Sequence, residues 1–335
     1  MKEALFYEKK DNNIVQCRLC PNNCTISPGN RGNCKVRQNQ NGQLVSLAYG
    51  KLISAAIDPI EKKPLFHFLP GSMVFSVATA GCNLHCLWCQ NYKISQSSSD
   101  EIPFEETKPI QIVRDAKDSD CTSIAYTYVE PSIFYEYVLD IAKLAREHNL
   151  KNIMVTNGYI NPAPLKQLYQ YIDGANIDIK AFTEDTYNKY CKGKLAPVLE
   201  ATKLIKEMNI HIEITNLLIP GVNDDPNMIK EMCTWIVDNL GKETPIHFSR
   251  FFPTYKMTDT QPTPIETLEK AYQIAKEAGL VYIYLGNTQE HSSTYCPNCK
   301  QEVIKRSAHY ELLQNNIKER KCGFCGGVIH GIFDN

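Results

Sequence analysis

The sequence predicts an α/β fold: a partial or complete (β/α) barrel between two small cysteine-rich modules. Three observations carry this expectation. From about Met73 to Gly286, short β-branched or aromatic runs alternate with longer amphipathic ones, a pattern of parallel strands joined by right-handed crossovers. The first 50 residues are rich in Asn, Gln and Gly, with four cysteines and little periodicity. From His291 onward the chain again becomes polar and cysteine-bearing. The expected divisions are residues 1–71, a Cys-rich module and lead-in; 72–290, the barrel; and 291–335, a second small module.

The candidate strands are Val74–Thr79, Ser123–Tyr128, Asn152–Thr156, Ala175–Lys180, His211–Leu218, Pro245–Phe251 and Val281–Leu285. Pro131 to His148 reads as a helix, with proline near its first turn and apolar residues at Ile133, Phe134, Tyr137, Val138, Ile141 and Leu144. Further helices are expected over Leu195–Met208, Pro226–Leu240 and Ile265–Glu277. The last two start beside Asp or Thr caps, and the last ends at Gly279. In such a barrel, reactive residues belong at the C-terminal ends of strands.

Composition excludes several classes. With 335 residues, 43% hydrophobic and 22% charged, the chain can bury a sizeable core and is neither disordered nor fibrous. Its net charge of -1 gives no electrostatic case for nucleic acid. No run approaches the roughly twenty apolar residues of a membrane-spanning helix. Residues Met1 to Lys10 show no apolar signal region, so the expected location is cytoplasmic.

Cysteine is the anomaly, at 14 residues. Eleven fall into three groups: Cys17, Cys20, Cys24 and Cys34; Cys82, Cys86 and Cys89; and Cys296, Cys299, Cys322 and Cys325. Cys121, Cys191 and Cys233 read as ordinary buried thiols. In a reducing compartment such grouping indicates metal centres rather than disulfides. The tail holds two CxxC knuckles, a zinc-ribbon spacing that closes a tetrahedral structural site, with a single iron as the minority reading. The N-terminal group is less regular and is left as zinc or iron–sulfur.

The central CxxxCxxC, Gly81-Cys82-Asn83-Leu84-His85-Cys86-Leu87-Trp88-Cys89-Gln90-Asn91, directly follows the first barrel strand. A [4Fe–4S] cube normally takes four cysteines, so three leave one iron open to a reacting ligand. A zinc knuckle borrowing a fourth ligand is the bland alternative.

This loop resembles that of the radical S-adenosylmethionine (SAM) superfamily. Cys17-Arg18-Leu19-Cys20-Pro21, Asp58-Pro59-Ile60-Glu61-Lys62-Lys63-Pro64-Leu65, Leu69-Pro70-Gly71-Ser72 and the Cys-rich tail extend the likeness over essentially the whole chain. They resemble the AmmeMemoRadiSam system radical SAM enzymes, within the pyruvate formate-lyase activating enzyme-like branch. The resemblance implies a partial (β/α)6-type, TIM-like barrel in which Cys82, Cys86 and Cys89 hold the cluster. SAM binds the open iron and is cleaved to methionine and a 5′-deoxyadenosyl radical, which takes hydrogen from a substrate. The enzyme would be an oxidoreductase fed by a low-potential donor such as ferredoxin or flavodoxin, with AMMECR-type and Memo-type proteins as partners.

The resemblance also implies SAM contacts. Glu130, in Thr127-Tyr128-Val129-Glu130-Pro131, stands where the superfamily holds the SAM ammonium, though both glycines of its usual segment are replaced. Asn91 matches a SAM-contacting asparagine. Asn176-Ile177-Asp178-Ile179-Lys180 resembles the Asp-Leu-Lys strand end that meets the SAM carboxylate. Thr156-Asn157-Gly158-Tyr159 resembles Thr-Asn-Gly-Phe, but Val155 replaces the expected aspartate, which removes half of any two-aspartate cation site. Ile219-Pro220-Gly221-Val222-Asn223-Asp224 is expected to touch adenosine. His67, His85, His247 and His309 read as structural or surface residues rather than ligands. Two other classes stay open: an iron–sulfur and zinc scaffold without SAM chemistry, and a zinc-ribbon enzyme modifying RNA.

Overall fold

A computed structural model describes residues 2–288, 292–307 and 310–334. The boundary at His291 and the residue His309 lie outside the described residues. The centre is one eight-stranded sheet. Its strands are β1 (Ser54–Pro59), β2 (Met73–Ala78), β3 (Ser123–Tyr126), β4 (Lys151–Thr156), β5 (Gly174–Asp178), β6 (His211–Leu218), β7 (Ile246–Arg250) and β8 (Ile283–Gly286). β2 to β8 are parallel and β1 pairs antiparallel with β2.

Spatial order follows chain order from β1 to β8 without reversal. A doubly wound sheet would reverse at a switch point; this one steps always to the same side, as a barrel does. β1 and β8 share no ladder, so the sheet is open. All seven candidate strands are present. The addition is β1, which makes the sheet seven parallel strands plus an antiparallel edge, rather than six strand–helix units.

The crossovers carry helices α1 (Pro109–Asp118), α2 (Tyr135–Glu147), α3 (Pro162–Leu168), α4 (Leu195–Glu207), α5 (Pro226–Leu240) and α6 (Ile265–Glu277). The segment expected as one helix from Pro131 is a 3-10 turn over Pro131–Phe134 that runs on into α2. α5 begins as expected: Asp225 accepts from the backbone N–H of Asn227 and Met228, with Pro226 at the first helical position. α6 does not use Thr263 as a cap. Its hydroxyl donates to the Leu218 carbonyl at 2.6 Å and accepts from Phe251 N–H, tying the end of β6 to β7. Gly279 takes φ +98° after α6, the left-handed turn glycine tolerates best.

The N-terminal segment and the central sheet with its helices share one apolar cluster, in which Val15, Leu19 and Val36 are buried. The C-terminal segment forms a three-stranded antiparallel sheet (Thr294–Tyr295, Glu302–Arg306, Leu312–Asn315) and a short hairpin ending at Cys322, over a smaller cluster with Phe66, Tyr282 and Tyr284. Among the described residues no helix is long and apolar enough to cross a membrane.

Candidate active site

The loop after β2 and the C-terminal ends of β3 to β7 enclose a cavity of about 450 Å³. Cys82, Cys86 and Cys89 line it, together with Asn91, Glu130, Asn157, Asp178 and Lys180. The fold therefore brings these eight residues to one chamber of ordinary ligand-pocket size.

The three thiols stand in an electrostatically demanding place. Burial pushes Cys82 up, and the nearby Glu130 carboxylate and Cys86 add to the effect. The Cys191 thiol and burial raise Cys86, while burial raises Cys89 against a hydrogen bond from Ser95. Thiolates held here need a cationic partner, a role a bound metal would fill. Two buried atoms lining the chamber, Asn176 Oδ1 and Thr215 Oγ1, have no partner among the described residues. Buried polar atoms are rarely left so, and both are available to a polar ligand. Three thiols with unspent polar atoms beside them fit a cluster with one open iron and a small zwitterion.

Glu130 is fixed from three sides. It accepts from Ser132 N–H at 3.0 Å, Asn157 N–H at 2.8 Å and the Thr156 hydroxyl at 2.8 Å. Burial pushes its pKa up, and these donors hold it back. The carboxylate thus caps the Pro131 turn and also faces the cavity. Lys180 Nζ meets Asp178 Oδ2 at 2.7 Å. Burial lowers the lysine, but Asp178 and the Cys86 and Cys191 thiols outweigh it, and the amine is held above its usual range.

Asn91 Nδ2 donates to the Tyr128 carbonyl at 2.8 Å, clamping the loop to the end of β3. Asn157 turns toward the loop: its Nδ2 donates to Asn83 Oδ1 at 2.9 Å and lies 3.8 Å from Cys82 Sγ. The Ile219–Asp224 loop is absent from the chamber lining, where β6 contributes Thr215 and Leu217. Asn223 instead donates to the Lys180 and Leu217 carbonyls at 2.7 and 2.8 Å, holding the Lys180 strand end.

Two residues matter here whose place the sequence does not show: Asn83, and Cys191, which reads there as an ordinary buried thiol but stands against Cys86. Cys191 ends a π-turn over Tyr187–Cys191 that packs on the cysteine loop, with His85 N–H donating to its carbonyl at 2.8 Å. π-turns often mark functional positions, but a lone cysteine between two lysine-bearing segments carries no such signal. Asn83, buried inside the motif, donates to the Tyr159 carbonyl at 2.7 Å.

The Radical SAM superfamily profile matches residues 76–233. The chain is 49% identical over 332 residues to the uncharacterized protein MJ0808 of Methanocaldococcus jannaschii, covering 98% of this chain and 99% of that one. Residues 76–233 thus form a radical SAM domain, and the chain belongs to the same family as MJ0808. It is also similar to the pyruvate formate-lyase-activating enzyme of Staphylococcus epidermidis, 21% identical over 62% of this chain and 90% of the relative. Among solved structures, Streptococcus suis SuiB bound to S-adenosylmethionine has the same fold, with TM-score 0.52, 14% identity and coverage of 68% of this chain and 53% of that one. A radical SAM methyltransferase from Sphaerobacter thermophilus gives 0.51, 16%, 65% and 67%.

Around the radical SAM domain lie two further sites. Cys296, Cys299, Cys322 and Cys325 have all four sulfurs within 4.8 Å of one another. The Cys296–Cys325 and Cys299–Cys322 pairs are each 3.7 Å apart. A tetrahedron with metal–sulfur bonds of about 2.3 Å has an edge of about 3.8 Å, so this group is set for one four-coordinate ion. Cys17, Cys20, Cys24 and Cys34 line a separate small cavity. Of the histidines, His67 binds the His330 carbonyl and the Tyr284 hydroxyl, and His247 binds Glu213. His85 lies between Gln96 and Asn33. All three hold the fold together.

Proposed function

We propose that the protein is an enzyme that binds SAM beside a [4Fe–4S] cluster held by Cys82, Cys86 and Cys89, for hydrogen abstraction from a substrate in the adjoining chamber. When bound, the cluster and SAM together supply one-electron cleavage of the sulfonium and a 5′-deoxyadenosyl radical. The observation that carries this reading is the convergence of three thiols, Glu130, Asn91 and the Asp178–Lys180 pair on one cavity.

The chain's own residues orient the cofactor. Glu130, held by three donors, offers a fixed carboxylate to an ammonium. Lys180, kept charged by Asp178, offers its cation to a carboxylate. Asn176 Oδ1 is free to accept, and the Thr215 hydroxyl to accept or donate, at the chamber wall. Asp58 organises the far side: it receives Lys63 at 2.7 Å, Ser76 at 2.9 Å and the Tyr128 hydroxyl at 2.8 Å. Beyond this wall a second space of about 370 Å³ is lined by Phe66, His247, Tyr284 and Tyr310, and shares Lys62, Lys63 and Tyr128 with the first. We assign the substrate to this space. Its size suits a small molecule or a side chain presented by a peptide or protein. A low-potential donor of the ferredoxin or flavodoxin type would supply the electron. AMMECR-type and Memo-type partners rest on sequence resemblance and are tested by co-purification.

The experiment is made on anaerobically purified protein: add dithionite and SAM, then quantify 5′-deoxyadenosine and methionine. Both are expected from the unaltered chain. Cys86→Ala should abolish them and lower iron while leaving the ribbon metal in place. Product formation by that variant would overturn the assignment of the catalytic loop, and intact SAM beside a fully assembled cluster would return the protein to the scaffold reading.

A further inference from the structure

The cysteine groups differ in their spacing. The ribbon sulfurs stand 3.7 Å apart in pairs, the separation a single tetrahedral ion imposes. Among the described residues no other group of three or more Cys, His, Asp or Glu ligand atoms lies within 4.8 Å of one another. Cys17, Cys20, Cys24 and Cys34 are therefore set wider than one ion would draw them. They nevertheless face a single cavity, closed by Leu19, Ile26, Ile133 and Arg37. About 10 Å³ stays open inside it, room on the order of one water. Four sulfurs drawn to ribbon spacing would leave no room at their centre.

The lining carries a second signal. Arg37 is 1% exposed. Its Nη1 donates to the Leu5 carbonyl at 2.8 Å and lies 3.8 Å from Cys17 Sγ. Its Nη2 pairs with Glu136, and its Nε–H has no partner among the described residues. Asn33 N–H also points at Cys24 Sγ, 3.4 Å away. A buried guanidinium with a spare donor, beside four thiols, suits an anionic, sulfur-rich occupant.

The cavity backs directly onto the CxxxCxxC loop. Gly81 has φ +89°, and a Cβ there would stand 2.5 Å from the Cys34 carbonyl. Asn22 Nδ2 donates to the Asn83 carbonyl at 2.8 Å, and Asn33 Oδ1 meets His85 Nε2 at 3.0 Å.

We propose that Cys17, Cys20, Cys24 and Cys34 hold a second iron–sulfur cluster of the [4Fe–4S] type, packed behind the loop that binds the first, with Arg37 donating to its sulfurs. A thiolate occupies every iron, so this cluster has no open position for SAM. The site stands on its own geometry and rests on the function proposed above only for the subtraction used to count it.

The test compares the full chain with a Cys82→Ser/Cys86→Ser/Cys89→Ser variant, both reconstituted anaerobically with iron and sulfide. Iron, sulfide and zinc are measured, with electron paramagnetic resonance after dithionite, with and without SAM. Beyond the ribbon metal, about eight irons are expected in the full chain and about four in the variant. The variant's resonance should not change when SAM is added. Cys17→Ser/Cys20→Ser should bring the otherwise unaltered chain down to about four. A triple variant without cluster iron but with two zinc ions would overturn the proposal. Should that variant fail to fold, the full chain decides: about four irons that persist in Cys17→Ser/Cys20→Ser also overturn it. About four irons that vanish in Cys17→Ser/Cys20→Ser but survive the triple variant would sink the catalytic-loop assignment and leave this one standing.

Discussion

Glu61 and Arg306 form a fully buried ion pair, Oε1 to Nε 3.3 Å, across 245 positions of sequence. Arg306 also donates to the Phe66 carbonyl at 2.6 Å and to the Thr294 hydroxyl at 3.0 Å. Glu61 accepts from Gly71 N–H at 2.9 Å. The C-terminal ribbon is thereby bolted to the Asp58–Leu69 segment that forms one wall of both chambers.

Breaking this pair from one side should be costly. Arg306→Met leaves a buried carboxyl without its cation, and a loss of about 3–5 kcal/mol is expected in urea denaturation. Adding Glu61→Gln should recover part of it. A single variant as stable as the unaltered chain would show the bolt to be dispensable.

The ribbon metal should act on stability rather than on chemistry. Cys299→Ala is expected to lose one metal equivalent and to speed hydrogen exchange across residues 292–334, because so small a cluster needs the ion to stay folded. Iron bound at Cys82, Cys86 and Cys89 should change little. Full metal retention, measured by elemental analysis, would refute the four-thiolate assignment.

Lys180 should govern SAM affinity. Replacing a charge-assisted contact of about 1.5–3 kcal/mol predicts a loss of roughly ten- to a hundredfold in Lys180→Met. Asp178→Asn should weaken binding less, since it removes the neighbour that keeps the amine charged. Equilibrium dialysis checks both, with iron content as the control for an intact cluster.

His67 predicts an acid-side loss of stability. Burial depresses its pKa from 6.5 to about 3, against the pull of Glu213. The folded state then keeps the ring neutral while the unfolded chain takes up a proton. Its contribution is complete above pH about 6.5 and falls as pH drops toward about 3, by up to about 1.4 kcal/mol per pH unit. In thermal melts from pH 7 to 4.5, His67→Gln should flatten this slope relative to the unaltered chain. Parallel slopes would mean the imidazole stays solvated.

Much of this architecture is legible in the sequence, because parallel strands buried on both faces read as continuous apolar or β-branched runs. Residues 124–126 of β3 and 153–156 of β4 are such runs, whereas β6 alternates Ile212 and Ile214 with polar residues. β1 is not legible in the sequence because Ser54-Ala55-Ala56-Ile57-Asp58-Pro59 lies half-exposed at the sheet edge and ends in proline. α1 is not legible in the sequence because it buries only Ile112, Val113 and Ala116 of its ten residues, half of which are polar. The cysteine loop, Glu130 and the Asp178–Lys180 pair could be read because each sits at a strand end within a short motif. Cys191, the Arg37–Glu136 pair and the Glu61–Arg306 bolt could not. Their partners are brought close only by tertiary packing, and neither local spacing nor periodicity encodes that.

Ile332 exchanges backbone hydrogen bonds with the segment beside the second chamber, donating to the His67 carbonyl at 2.8 Å and accepting from Leu69 N–H at 2.7 Å. A nascent chain that has left the ribosome only as far as Gly286 already holds every strand of the central sheet, yet it lacks this latch and Arg306. During that interval of synthesis, residues 66–69 have no ribbon to close them down. Completion of the chamber wall therefore falls late in translation, after the three-thiol loop has been made.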